Sequence, residues 1–126
     1  MKEYVIYSGG KFVIEWFYDN NGKSDVLDFF EALDSVQKQK ILHLVKRMGD
    51  AGKISDKTKF RNEGEKIYAF KPQPDRFLCF FFEGGKVIVT NAFVKRQDKL
   101  PTNQKNRALQ RMKSYTKRVE KGQYYD

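Results

Sequence analysis

The sequence predicts a single α+β domain with a mainly antiparallel sheet, and three observations carry that reading. Strand-like runs rich in β-branched and aromatic residues cluster near the start and again past the middle of the chain. Between the clusters, and after the second, apolar residues recur at helical spacing. The length of 126 residues suits one domain with one hydrophobic core, and a second independent core is not expected. The predicted order is β(β)-α-α-β-β-β-α over residues 1–126, with residues 1–14 as a candidate extra β-hairpin arm.

"EYVIYSGGKFVIEWFY" reads as two strands around a Ser8-Gly9-Gly10 turn, since glycine supplies positive φ at low cost. "DNNGKS" is a loop, and Ser24 or Asp25 caps a short helix with Val26, Phe29, Phe30 and Leu33 on one face. "DSVQ" opens a second helix, Asp34 and Gln37 having capping-box spacing. Ile41, Leu44, Val45 and Met48 form its buried stripe, Gly49 is its expected end, and the two helices make a hairpin. "AGKISDKTKFRNEGE" is polar and is expected to wind across the surface. Three strands follow, "KIYAFK", "RFLCFFFE" and "KVIVTNAFV". Pro72 and Pro74 make "PQPD" a turn, and Gly84-Gly85 makes a tight hairpin. A last helix spans about Thr102 to Lys121 with Leu109, Met112, Tyr115 or Thr116, and Val119 at helical spacing, and Gly122 stops it.

Composition narrows the function classes. The net charge is +9, and the segment from Lys95 to Lys121 alone carries a net +8. An excess gathered into one block is either a nucleic-acid footprint or a solvated helix face. The 11 Phe and 7 Tyr exceed what so small a core needs, so some rings are expected on the surface. The single cysteine, Cys79, sits in "RFLCFFF" and reads as a buried thiol in a reducing compartment. No apolar run approaches membrane-spanning length and no signal peptide is legible, so the expected location is the cytoplasm.

Most catalytic chemistries lack their residues. Neither Gly-Gly pair opens a helix, so there is no phosphate loop. One Cys and one His make no metal cluster, and no cofactor is expected. His43 reads as structural, and Asp25, Asp28, Glu31 and Asp34 suit helix starts. What remains is cationic. Lys71 and Arg76 flank the "PQPD" turn, while Lys95, Arg96 and Lys99 follow the last strand. Antiparallel order brings Lys71, Arg76 and Lys95 to one rim of the sheet. Such a set suits RNA cleavage by its own 2′-OH. Arg stabilises the phosphorane, and a lysine lowered in pKa by cationic neighbours moves protons. Binding backbone phosphate without chemistry is the plainer alternative.

The stretch from "KIYAFK" through "DRFLCFFFEGGKVIVTNAFVKRQDKLP" into "ALQRMKSY" resembles the RelE/ParE toxin superfamily, and within it the HigB-like, phage-associated branch. "NGKSDVLDFFEALD" is similar to that branch's entry into its helical hairpin. The likeness covers about residues 12 to 118. Its most specific part is Phe93 to Pro101, followed by Ala108, Arg111 and Tyr115. The resemblance implies a RelE-like fold, a twisted sheet backed by an N-terminal helical hairpin. It implies a type II toxin that cleaves mRNA on the ribosome as an mRNA interferase, neutralised by a cognate antitoxin that is acidic or of helix-turn-helix type. The family's functional positions fall on Arg76, Lys95, Arg96 and Tyr115. Where the branch has Glu-x-Arg this chain has Ala69-Phe70-Lys71, and Lys71 takes the place of the arginine. Lys99, Lys105, Arg107, Arg111, Lys113, Lys117 and Arg118 are the expected RNA-binding cations, because Leu109, Met112 and Val119 must point inward. The arm from Glu3 to Ile14 is longer than the family's usual start and is either an extra strand or a partner contact. Two alternatives share these residues: gyrase inhibition as in the ParE branch, and a non-catalytic nucleic-acid-binding phage protein.

Overall fold

A computed structural model describes residues 4–125; Met1–Glu3, where the predicted arm begins, and Asp126 lie outside the described residues. Two short strands open the chain, β1 (Val5–Ser8) and β2 (Val13–Trp16), followed by α1 (Asp25–Glu31) and α2 (Ser35–Ala51). Four strands follow, β3 (Phe60–Gly64), β4 (Ile67–Phe70), β5 (Asp75–Phe82) and β6 (Lys86–Val94), and α3 (Thr102–Glu120) ends the fold. The six strands form one sheet in the order β1-β2-β6-β5-β4-β3. β3 to β6 are an antiparallel meander. The β1-β2 hairpin joins its β6 edge through a parallel pairing of Val13–Trp16 with Lys86–Val89.

The helices form where the local chemistry predicts. Ser24 caps α1 by accepting from the Leu27 amide at 3.3 Å, and its hydroxyl donates to the Phe17 carbonyl at 2.6 Å. Asp34 caps α2 by accepting from the Gln37 amide at 2.8 Å. The two sheet faces carry separate cores, where the length suggested one, because the sheet divides the interior of the single domain. Ile14, Trp16, Phe77, Cys79 and Val89 meet α1 and α2 through Val26, Ile41, Leu44, Val45 and Met48. Leu78, Phe80 and Ile88 meet α3 through Ala108 and Tyr115 on the other side. β5 is central and clothed on both faces, which is why its sequence from Phe77 to Phe82 is an unbroken apolar run rather than an alternation. Cys79 is fully buried and desolvation pushes its thiol well above the ordinary range, as expected of an inert core cysteine.

Two further expectations are corrected. The polar stretch before β4 is not merely surface wandering: Phe60–Gly64 pairs with β4 as an edge strand. An edge strand with one wet face needs little apolar sequence, so its signal is weak. Helix α2 ends at Gly52 (φ 81°), not at Gly49, which is helical and buried beneath the Tyr7 ring. Some rings do reach the surface, as expected, although most of the aromatics are interior. Of the large hydrophobics left exposed, only Phe81 and Tyr125 are aromatic among the described residues. Tyr124 is buried after α3 stops, stacked on Tyr18 at 4.2 Å, so the tail after Gly122 completes the second core.

Candidate functional site

Strand register builds a cationic hollow on the α3 side of the sheet. Arg61 pairs with Ala69, and Ala69 with Leu78, while Arg76 pairs with Phe93. Side chains two residues apart on a strand share a face. Arg61 and Glu63 on β3, Ala69 and then Lys71 after β4, Arg76 on β5, and Phe93 and then Lys95 after β6 therefore line one surface. The fully buried Ala69 has only a methyl to fill its place, and a cavity of about 250 Å3 remains there. Lys99, Leu100 and Pro101 close it from the loop that leads into α3.

Backbone ties hold the rim. The Lys95 amide donates to the Pro74 carbonyl at 2.9 Å, and the Lys71 amide to the Lys59 carbonyl at 2.8 Å. These bonds anchor the ends of β6 and β4 on either side of Arg76. The guanidinium donates through both terminal nitrogens to the Gln73 side-chain oxygen at 3.3 Å, and to the Asp75 carbonyl at 2.9 Å. Gln73 lies in the turn with φ 33°, before the cis-Pro74.

The electrostatics are unbalanced. Among the described residues neither Arg76 nor Lys71 is in an ion pair. Lys95 pairs with Asp98 at 3.3 Å, and that carboxylate is fully in water. Arg76 is 6% exposed. Burial lowers its pKa while Glu63 and Asp75 oppose the shift, and an arginine so placed remains a cation. Burial also lowers the Lys71 amine from its ordinary 10.5, Arg76 and Arg61 push the same way, and Glu63 pushes back. The sequence reading assigned that shift to cationic neighbours alone; desolvation comes first. On the opposite face Asp75 is buried with its Oδ2 lacking a hydrogen-bond partner, and desolvation raises its pKa.

The cleft gathers Lys71, Arg76, Lys95 and Lys99. Arg96 is exposed on the loop and does not line it. Tyr115 is not near it. Its ring is wholly buried against Phe80, Phe82 and Tyr124, toward the other end of β5, and its hydroxyl meets that of Tyr125 at 2.6 Å. Burial raises its pKa to about 12. The helix cations divide. Arg107, Lys113 and Lys117 are exposed, and Lys105 pairs with Glu65 at 3.1 Å. Arg111 does not point freely outward: it clamps Asp25 with bonds of 2.6 and 2.7 Å and donates to the Thr90 carbonyl at 2.8 Å. Arg118 is buried, donating to the carbonyls of Tyr18 at 2.7 Å and Asp19 at 3.3 Å, with its guanidinium over Tyr124. Both are corrections, with one cause. The helix-facing stripe is wide enough to take in arginines, whose long stems lie along apolar surface. Sequence reasoning also missed Arg61, Glu63 and Gln73. The period-two spacing of Arg61 and Glu63 after Phe60 was the available signal, masked by the polarity of "FRNEG". His43 is exposed on α2.

No cluster of three or more potential metal ligands occurs among the described residues, and no helix among them is long and apolar enough to cross a membrane. A comparison with curated proteins finds no match. The family described as phage derived protein Gp49-like (DUF891) matches residues 28–113, well over half of the chain. The matched span takes in the whole cleft as far as Pro101, whereas β1 and β2 precede it. The chain therefore belongs to the Gp49-like family of phage-derived proteins.

Proposed function

We propose that the protein is the toxin of a type II toxin-antitoxin pair and cleaves mRNA on the ribosome. One observation carries this: a buried Arg76, in no ion pair among the described residues, shares a small cavity with Lys71 and Lys95, one at the end of each strand flanking β5. That set answers the three demands of RNA transesterification. The Lys71 amine, lowered by burial and by its cationic neighbours, takes the proton from a 2′-OH. The 2′ oxygen attacks phosphorus as the bond to the 5′ oxygen breaks, leaving a 2′,3′-cyclic phosphate and a 5′-OH. The Arg76 fork holds the non-bridging oxygens as negative charge builds on them. The Lys95 ammonium supplies a proton to the leaving 5′ oxygen, and solvent restores both lysines. A co-encoded antitoxin, acidic or of helix-turn-helix type, would neutralise so basic a surface, and charge complementarity would speed its association.

The test uses programmed ribosomes with a defined mRNA, mapping cuts by primer extension. Wild type is expected to cut within the decoding site, and a 2′-deoxy substitution at the cut nucleotide abolishes the cut there. Arg76→Ala is expected to lower the single-turnover rate at least about 100-fold, on the order of 3 kcal/mol, with a cooperative melt retained. Full activity in a folded Arg76→Ala protein removes Arg76 from the mechanism. Inhibition of gyrase supercoiling without mRNA cuts transfers the assignment to the ParE-like reading, and neither activity leaves the non-catalytic one.

A further inference from the structure

A second and larger concavity, of about 740 Å3, adjoins the cleft. It lies where the loop from α2 to β3 meets the edge of the sheet. Four cations line it, Lys53, Lys57, Arg61 and Lys71, and among the described residues its lining holds no carboxylate. Three rings line it as well. Tyr68 is half-buried and stacks nearly parallel on Phe60, 5.6 Å away at 6°. Phe81 stands edge-on to Tyr68 at 5.0 Å and is 36% exposed. Arg61 and Lys71 line both this groove and the cleft, and the Lys71 Nζ donates to the Lys57 carbonyl at 3.2 Å, joining their walls.

Cations in a lining that holds no carboxylate among the described residues fit either a polynucleotide or an acidic peptide. The rings and the continuity decide between them. Partly open π faces beside a row of cations are what unpaired bases and their phosphates need together, and a strand passing from one hollow to the other never leaves Arg61 and Lys71. The α3 arginines expected to hold RNA are instead engaged with Asp25, Thr90, Tyr18 and Asp19. We propose that this groove takes the single-stranded RNA flanking the scissile bond, its phosphates on Lys53 and Lys57 and its bases against Tyr68 and Phe81. The inference rests on the reading that the cleft acts on RNA, and it adds the route of the strand.

The test is fluorescence anisotropy with a labelled 2′-O-methyl RNA oligonucleotide, which lacks the attacking hydroxyl and reports binding without cleavage. The protein is compared with Lys53→Ser/Lys57→Ser, both positions exposed on a loop, and with Phe81→Leu, which keeps bulk and loses the π face. The double variant is expected to bind about tenfold more weakly near physiological salt, with a log–log salt slope shallower by about 1.4. Phe81→Leu is expected to lose about fivefold with the slope unchanged, and the single strand to bind more tightly than its duplex. Wild-type affinity and slope in the double variant, equal binding of duplex and single strand, or tighter binding of a polyglutamate peptide than of RNA would each overturn the proposal. The two readings fail separately. Weakened binding in the groove variants with uncut ribosomal mRNA supports the groove and removes the cleavage. Cutting by wild type with unaltered binding in the groove variants does the reverse.

Discussion

Lys71 shows how one residue is tuned by where its strand ends. Its amine is partly buried, and Arg76, Arg61 and Lys95 all disfavour its charge. If the neutral amine is the base, the single-turnover rate climbs with pH and levels off below the ordinary lysine value of 10.5. Lys71→Arg, a cation that does not deprotonate, should lower the rate and flatten the profile; an unchanged profile assigns the inflexion elsewhere. The sign for stability is opposite to that of a paired lysine. The folded pKa is depressed, so the unfolded chain holds the proton more tightly. Stability is lower throughout the range below the folded pKa and recovers as pH rises from there to 10.5. Lys71→Met should therefore abolish cleavage and raise the melting temperature at neutral pH, the trade expected where a site carries unpaired charge. Tyr115 makes the contrasting case. Tyr115→Phe removes the bond to the Tyr125 hydroxyl, costs about 1 kcal/mol in a denaturant melt, and is expected to leave the cleavage rate as it was.

Among the elements, the β1-β2 hairpin is fixed to the body of the fold by α2. The amides of Lys11 and Phe12 both donate to the Gly49 carbonyl, at 2.8 and 3.1 Å. At Gly9 the approach is so close that a Cβ would fall 2.2 Å from the Gly49 carbonyl carbon and oxygen. Gly9→Ala must push the hairpin from the helix and should cost about 2–3 kcal/mol, read as a shift in the urea midpoint; a shift under about 0.5 kcal/mol means that the arm is held elsewhere. The same packing explains why Gly49 misled as a helix stop. It is a glycine because Tyr7 lies on it, its Cδ2 only 2.7 Å from where a Cβ would be, while the left-handed residue that ends the helix is Gly52. A glycine selected for close approach and one selected for positive φ look alike in sequence.

Across the whole molecule, the basic block is two populations. Arg118 belongs to the interior, bonded to two carbonyls and laid over aromatic rings. Arg118→Ala should lower stability by about 2–4 kcal/mol. Lys113 and Lys117 are exposed, and Lys113→Ala/Lys117→Ala should leave the melt unchanged while weakening ribosome binding and flattening its salt dependence. If about four phosphates are met in all, the wild-type slope of log K against log salt is roughly −3. A slope unaltered by the lysine pair, measured by sedimentation with ribosomes, moves the electrostatic contact off α3.

The sequence by itself determined the α+β class, the helical hairpin with its Asp34 cap and a choice of Ser24 or Asp25 for the other, the meander from β4 to β6, and the convergence of Lys71, Arg76 and Lys95. These follow from local signals: capping residues act within three positions, strand and helix periods repeat within one element, and short turns force antiparallel order. The tertiary structure alone decided the rest. Edge strand β3 draws its stability from pairing with β4 rather than from its own polar residues, so Arg61 and Glu63 entered the cleft unannounced. Gln73 became a partner of Arg76 through the shape of its turn. Arg111 and Arg118 were withdrawn from the surface by Asp25, by carbonyls and by rings that α3 meets only after folding. A cation's role depends on whether a carboxylate or carbonyl distant in sequence arrives beside it, and that is a property of packing, which no local window of the chain contains.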